Sequence, residues 1–212
     1  MFDDSKLKEE FLTGERVYSG KVIRVDACRV RLPDGNTALR EIVHHNGAVA
    51  IIPIDHEGYV TLVRQDRIAI GRLTWEIPAG KLEGPDEDPF SAAVRELEEE
   101  TGLHAAHWQE LTVINTTAGF CDEKITIYLA TELSQHSSHT DDDEFLSVAR
   151  FPLDELTEKV MRGELQDSKT IIALLMAGRV VDRSQWGIIR DAPDIQRFNT
   201  AIYSGQAEKN VQ

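Results

Sequence analysis

The chain has 212 residues, of which 41% are hydrophobic and 28% are charged, a composition typical of one globular domain with room for a small addition. Its net charge of −14 disfavours general binding to nucleic acid or to an anionic membrane. No apolar run approaches the roughly 18 residues of a membrane span, and no secretory signal is expected. Because Cys28 and Cys121 form no CxxC pattern, a reducing cytoplasm is the predicted compartment.

Strand patterns fill the first third of the chain. Apolar and polar side chains alternate over residues 17–32, the letters PDGN at 33–36 predict a turn, and residues 37–45 resume the alternation. Residues 17–45 are therefore expected to form a small antiparallel unit. Three further strands are predicted over residues 47–53, 59–67 and 73–78. The first of these is continuously apolar, which suits a buried strand.

The strongest helix prediction covers residues 89–101. Asp88 can cap its N-terminus, Pro89 suits the first helical position, and Gly102 suits a left-handed C-terminal cap. One apolar face is expected from Phe90, Ala93, Val94 and Leu97. Later elements are predicted as strands over 109–115 and 123–131, a polar loop over 136–144, helices over 153–162 and 168–177, and one helix near 193–203.

Three glutamates near the end of this helix stand at the spacing i, i+3 and i+4: Glu96, Glu99 and Glu100. Their carboxylates repel one another and oppose the helix dipole, so local stability alone disfavours the arrangement. A divalent cation such as Mg²⁺ or Mn²⁺ reverses this balance, because both ions prefer carboxylate oxygens. The alternative is a solvated helix face that binds nothing.

The surrounding residues resemble the Nudix box. Gly80, Glu87 and the run Arg95-Glu96-Leu97-x-Glu99-Glu100-x-Gly102-Leu103 follow that family's pattern, except that six residues instead of five separate Gly80 from Glu87. The resemblance implies an α/β fold, a Nudix α/β/α sandwich with a mixed sheet and a small N-terminal antiparallel β unit. It implies a β unit over residues 1–45, a hydrolase domain over 46–178 and a tail of unknown role over 179–212.

The resemblance also implies roles for the motif residues. Glu96 and Glu100 are expected to bind metal directly, Glu99 directly or through water, and the backbone carbonyl of Ala79 is expected to complete the site. Glu99 and Glu100 are thereby also catalytic candidates. Gly80, Glu87, Arg95 and Gly102 are expected to be structural. The implied cofactor is Mg²⁺, with Mn²⁺ as the alternative, and the implied chemistry is metal-assisted hydrolysis of a diphosphate.

Further segments resemble the ADP-ribose pyrophosphatase branch of this family. They are TALREIVHH, GAVAIIPID, LVRQDR, TWEIPAGKLE, AGFCDEKITIYLA and DSKTIIALL, in the family's order. The resemblance implies a homodimer in which the N-terminal unit reaches the partner. It gives Arg40 and Glu41 contacts with the nucleotide end of the substrate, and Arg64 and Arg67 contacts with its phosphates or ribose.

A loop glutamate, Glu123, is the implied general base or an added metal ligand. Each of these assignments has a plainer alternative: an edge-strand ion pair for Arg40 and Glu41, a polar strand end for Arg64 and Arg67, and an exposed strand start for Glu123. Tyr18 and Trp75 are the aromatic candidates for stacking on the base, and buried packing is the alternative for both.

The predicted function is metal-dependent hydrolysis of ADP-ribose to AMP and ribose 5-phosphate, or of a related nucleoside diphosphate sugar. Ala118 and Asp66 depart from the branch, which frequently has proline and an aromatic residue there. Alternatives are therefore another sugar substrate, such as ADP-glucose or GDP-mannose, or a non-catalytic nucleotide-binding module that regulates a partner. Neither nucleic acid nor a membrane is an expected partner.

Overall fold

The computed structural model describes residues 4–84, 86–135 and 145–181. The strands in chain order are β1 (Glu10–Ser19), β2 (Arg24–Arg31), β3 (Thr37–His44), β4 (Ala48–Pro53), β5 (Tyr59–Arg67), β6 (Arg72–Glu76), β7 (Ala79–Lys81), β8 (Leu103–Asn115), β9 (Lys124–Gln135) and β10 (Ser147–Pro152). The helices are α1 (Pro89–Thr101), α2 (Leu153–Met161) and α3 (Ser168–Val180), with a 3-10 turn over Asp4–Leu7.

These strands form three sheets. The N-terminal sheet has the order β1-β2-β3 and is antiparallel throughout. A second antiparallel sheet has the order β10-β5-β6. The third has the order β7-β4-β9-β8 and is mixed, because β4 and β9 run parallel while their outer neighbours run antiparallel.

The buried strand β4 lies between two helical layers. Val49 and Ile51 pack with α1, whereas Ala50 and Ile52 belong to the larger core that α2 and α3 cover. Since successive side chains of a strand point to opposite faces, a strand covered on both faces must be apolar at every position. This accounts for the continuous apolar run in the sequence. The predicted α/β/α sandwich with a mixed sheet and an antiparallel N-terminal unit is confirmed.

Helix α1 begins and ends as its sequence predicts. Asp88 accepts a hydrogen bond from the Ser91 N–H at 2.9 Å, and Gly102 adopts a φ of 67° while its N–H donates to the Glu98 carbonyl at 2.8 Å. The predicted apolar face is partly wrong, because Phe90 and Val94 are 42% and 38% exposed. The side chains of Glu96 and Glu100 lie on the buried side of α1 in their place.

Several strand boundaries also differ from the prediction. Strand β1 begins at Glu10, β8 begins directly after the cap of α1 at Leu103, and β10 was not predicted. The pairing of Leu103 with Gln135 extends the β8–β9 ladder through residues whose own pattern does not favour a strand. The predicted loop at 136–144 and helix near 193–203 lie outside the described residues. None of the described helices combines the length and hydrophobicity needed to cross a bilayer.

Candidate active site

A cleft of about 840 Å³ lies between β7, the C-terminal half of α1 and the end of β5. It gathers many of the residues that the sequence singles out: Arg67, Ala79, Gly80, Arg95, Glu96, Glu99, Glu100 and Glu123. It is also lined by His45 and Lys169, which sequence reasoning missed. The predicted metal and catalytic candidates are therefore neighbours in space, although Ala79 and Glu123, the first and the last of them, are 44 positions apart in the chain.

Two of the glutamates are buried instead of solvated. Glu96 and Glu100 are 7% and 2% exposed, and they lie in the buried stripe of α1 beside Leu97. Glu100 accepts a hydrogen bond from the Ala79 N–H at 3.0 Å. Because these carboxylates lie on the buried side of α1, Phe90 and Val94 lie toward its exposed side. A solvated helix face is thus excluded for Glu96 and Glu100, and burying two carboxylates is costly unless partners compensate.

Arg95 provides part of that compensation. Its Nη1 donates to Glu96 at 2.7 Å and to Glu99 at 3.0 Å, and its Nη2 donates to Glu87 at 3.3 Å. Burial alone would lower the pKa of Arg95, but Glu96 and Glu99 outweigh burial and raise the pKa above its ordinary value. One guanidinium therefore joins the loop before α1 to two carboxylates of the helix.

Position 80 favours glycine because the Glu96 side chain occupies the space that a Cβ would take. A Cβ at this position would lie 1.9 Å from the Glu96 carboxyl carbon, far inside van der Waals contact. The antiparallel pairing of β7 with β4 holds Gly80 and Ala79 in this position. The backbone of β7 and the Glu96 carboxylate are consequently in close contact.

The chemistry of these groups fits a hard divalent cation. The cleft offers the carboxylates of Glu96, Glu99, Glu100 and Glu123 together with the backbone of Ala79, all of them oxygen donors. Across residues 4–84, 86–135 and 145–181, no three Asp, Glu, His or Cys side chains already converge as a finished metal site. Arg95 instead contacts both Glu96 and Glu99.

A second charged group forms another wall of the cleft. Arg67 Nε and Nη2 donate to the two oxygens of Glu76 at 2.9 and 2.7 Å, and Lys169 Nζ donates to the same carboxylate. Glu76 is 2% exposed. Its burial would raise the pKa, but Arg67 and Lys169 prevail and lower the pKa to about 2. Arg67 lines the cleft, and its Nη1 is the nitrogen that Glu76 does not occupy.

Lys169, one member of this charged group, lies in the first turn of α3. Asp167 caps α3 by accepting from the Thr170 N–H at 3.0 Å, and it also accepts from Lys169 Nζ at 3.0 Å. The Thr170 hydroxyl in turn accepts from the Ile77 N–H at 3.0 Å. The letters DSKT are a capping signal that predicts where α3 begins, but such a signal does not indicate that Lys169 lies beside Glu76.

Glu123 lies at the cleft with two polar neighbours. Thr116 Oγ1 donates to its Oε2 at 2.8 Å, and His45 Nδ1 lies 3.4 Å from its Oε1. The loop therefore directs this carboxylate toward the same space as the buried glutamates. Its role as base or metal ligand stays a prediction.

Three predicted substrate contacts lie elsewhere. Arg40 pairs with Glu9, with Nε 3.0 Å from Oε2, and Glu41 on the same strand is exposed. Arg64 is exposed and holds its guanidinium 5.6 Å from the ring centroid of Trp75. None of the three belongs to the described lining of the cleft. The substrate roles of Arg40 and Glu41, in an assembly with a second chain, stay predictions, as does the contact of Arg64 with the phosphates or ribose.

The aromatic candidates for stacking on the base differ in environment. Trp75 packs edge-on against Phe151, with ring centroids 5.1 Å apart, whereas Tyr18 is 55% exposed. Neither ring lines the cleft as described.

Comparison with known proteins settles the family. The NUDIX domain model matches residues 44–174, which is more than half of the chain. The chain belongs to the Nudix family. Nudix hydrolases generally use divalent metal ions, in agreement with the donor set of the cleft.

Relatives of this Nudix protein carry different functional names. An ADP-ribose pyrophosphatase of Bacillus subtilis (strain 168) is 41% identical over 170 residues, covering 79% of this chain and 91% of that protein. A methanol dehydrogenase activator of Bacillus methanolicus is also 41% identical, over 169 residues, with coverage of 79% and 91%. A crystal structure of an ADP compounds hydrolase has a TM-score of 0.72 at 22% identity, covering 81% of this chain and 93% of that chain, and shows the fold alone.

Proposed function

We propose that this protein hydrolyses the diphosphate bond of ADP-ribose, giving AMP and ribose 5-phosphate, or that of a related nucleoside diphosphate sugar. The working cation is Mg²⁺, with Mn²⁺ as a substitute. The observation that carries the proposal is the burial of Glu96 against Gly80 and of Glu100 against Ala79, in a cleft whose other wall holds Arg67. Such a site places anionic ligands for a cation beside a cationic group for a phosphate.

The chain's own residues divide the work. When bound, the cation supplies Lewis-acid polarisation of the diphosphate and lowers the pKa of an attacking water. Glu96, Glu99, Glu100 and the Ala79 carbonyl would hold it. Arg67, fixed by Glu76 along one edge, presents Nη1 to a phosphate oxygen. Glu123 accepts the proton of the attacking water as general base. Glu87 and Arg95 keep the loop on the helix.

The substrate assignment draws on the relatives. A pyrophosphatase named for ADP-ribose is 41% identical along most of this chain, which supports the same substrate here. Asp66 and Ala118, where the branch has other residues, keep ADP-glucose and GDP-mannose as competing substrates. Arg67 and the carboxylates would contact only the diphosphate, so other residues of the cleft must determine the specificity for the sugar.

The protein is proposed to be cytoplasmic and to form a homodimer through its N-terminal sheet. This sheet exposes large apolar side chains, including Phe11 at 64%, Tyr18 at 55% and Leu39 at 66%. Exposed apolar surface of this kind favours contact with another protein. In such a dimer, Arg40 and Glu41 would contact substrate in the cleft of the partner chain. Residues 1–45 would be the dimerisation unit and residues 46–178 the hydrolase domain.

The test is turnover of a substrate panel with and without Mg²⁺, using wild type and Glu100→Gln. The panel contains ADP-ribose, ADP-glucose, GDP-mannose, UDP-glucose and NADH, and products are identified by chromatography. Wild type should prefer ADP-ribose and require Mg²⁺. Glu100→Gln should lower kcat by about 100-fold or more, because it removes a carboxylate that holds the cation.

Glu98→Gln is the matched control for this test. Glu98 lies on the same helix, its side chain is 44% exposed, and it faces His104 outside the described cleft. It should keep wild-type turnover. If Glu100→Gln turned over as fast as Glu98→Gln, the buried carboxylates would not be the metal site.

A regulatory function is the second candidate, because a relative of equal identity is named as an activator of methanol dehydrogenase. Such a protein would bind a nucleotide or an enzyme and alter that enzyme's rate. Wild-type protein that binds ADP-ribose in calorimetry yet hydrolyses no member of the panel would favour this candidate over hydrolysis.

A further inference from the structure

The loop that carries Glu123 is joined to the end of strand β3. We call residues 116–123 the base loop. The Val43 N–H donates to the Phe120 carbonyl at 2.7 Å, and the Asp122 N–H donates to the Val43 carbonyl at 3.1 Å. These two bonds form a short parallel bridge between Val43 and Cys121. The N-terminal sheet and the base loop are therefore one hydrogen-bonded unit.

The Asp122 side chain adds two further contacts to this bridge. Its Oδ1 accepts from the His45 N–H at 2.9 Å, and its Oδ2 lies 2.5 Å from His44 Nδ1. The opposite ring nitrogen of His44 lies 3.1 Å from Asp26, which is paired with Arg16 on β1. A chain of polar contacts thus runs from the first strand of the N-terminal sheet to the base loop.

The neighbouring Glu123 is held from the other side of the loop. Its carbonyl accepts from the Thr116 N–H at 3.3 Å, and its carboxylate accepts from the Thr116 hydroxyl at 2.8 Å. His45 lies 3.4 Å from that carboxylate while its backbone N–H bonds Asp122. The dipeptide His44-His45 therefore contacts both acidic residues of the loop at once.

We infer that Asp122 is a positioning residue that acts through Glu123. Its contacts with His44 and His45 fix the base loop on β3, and this fixes the place from which the Glu123 carboxylate reaches the cleft. The inference rests on the proposed hydrolysis and assigns a role to a residue whose sequence neighbour is the base candidate. Strand β3 also carries Arg40 and Glu41, so the same strand that is proposed to contact substrate sets the position of the base.

The distinguishing experiment is a double-mutant cycle on kcat and KM. Asp122→Ala should lower kcat about tenfold and change KM less than about twofold, because a displaced base affects the chemical step more than binding. Asp122→Asn keeps an acceptor for the His45 N–H and should recover part of the loss. In a Glu123→Gln background, Asp122→Ala should lower kcat less than about twofold further, since the group that it positions is already absent.

Asp55→Ala is the matched control. Asp55 also organises a loop, accepting from the Glu57 and Tyr59 N–H groups at 2.9 and 3.0 Å, but it lies outside the described cleft. It should lower the melting temperature without lowering kcat. If Asp122→Ala lowered kcat equally in the wild-type and Glu123→Gln backgrounds, or not at all, Asp122 would not act through Glu123.

A second readout separates this inference from the proposed function. Amide hydrogen exchange of the peptide covering residues 116–123 should become faster in Asp122→Ala and stay unchanged in Asp55→Ala. Unchanged exchange in Asp122→Ala would overturn the inference even in a protein without turnover. Wild type that hydrolyses nothing on the panel would refute the proposed hydrolysis, and an active wild type with normal Asp122→Ala kinetics would refute only the positioning role.

Discussion

Replacing Glu76 by glutamine should destabilise the fold by about 3 kcal/mol at neutral pH. Arg67 and Lys169 lower the pKa of Glu76 from its ordinary value of 4.5 to about 2, and each pKa unit corresponds to about 1.4 kcal/mol. Glutamine keeps the size of the side chain but removes the charge that both cations contact. Uncompensated buried charges are costly, typically about 3–5 kcal/mol, which agrees with this figure.

The effect should depend on pH in a defined direction. Because the pKa of Glu76 is lower in the folded chain than in the unfolded chain, its charge stabilises the fold fully above about pH 4.5 and loses this effect as the pH falls through about 2. The free-energy difference between wild type and Glu76→Gln should therefore be constant near neutral pH and shrink below about pH 4.5.

Urea unfolding followed by circular dichroism between pH 7 and pH 3 measures this difference. Glu57→Gln is the control, because Glu57 contacts Arg150 at 3.0 Å with a side chain that is 57% exposed, and exposed pairs contribute about 1 kcal/mol at most. A Glu76→Gln loss no larger than that of Glu57→Gln, or one that did not change with pH, would refute the electrostatic account of this cluster.

Two glycine substitutions test the geometry around α1. Gly80→Ala places a Cβ against the Glu96 carboxylate, so it should weaken Mn²⁺ binding in calorimetry about tenfold or more while the displaced side chain leaves the melting temperature nearly unchanged; a wild-type affinity would contradict the close approach. Gly102→Ala imposes a φ of 67° on a residue with a Cβ and should cost about 1 kcal/mol in urea unfolding, whereas an unchanged midpoint would show that the cap relaxes.

The local features of the site were predictable because they depend on residues close in sequence. The cap at Asp88, the left-handed Gly102 and the i, i+3, i+4 spacing of the glutamates all lie within one helix and its ends. The spacing alone could not show which side of α1 is buried. The sequence favoured Phe90 and Val94 as core residues, but Glu96 and Glu100 lie on the buried side of α1 instead, where the missing side chain of Gly80 leaves room for the Glu96 carboxylate.

The remaining features depend on contacts between distant segments. Lys169 and Glu76 are 93 residues apart in the chain, and no local sequence pattern predicts that they are in contact. His44 and Asp122 are 78 residues apart, so the sequence likewise did not predict the contact between β3 and the base loop. Strand β8 shows the same effect in secondary structure, since its first residues become a strand only through pairing with β9.

Arg95 gives the acidic cleft a tethered counterion of its own. Its contacts with Glu87, Glu96 and Glu99 mean that the carboxylates are partly neutralised before any dication arrives. Entry of an ion would then exchange one positive group for another, and the affinity for the ion would be the difference between the two attractions. Such a cleft would favour a dication that arrives together with a phosphate, because the phosphate would give the displaced guanidinium a new anion to contact. The arginine would thereby tie loading of the ion to arrival of the substrate.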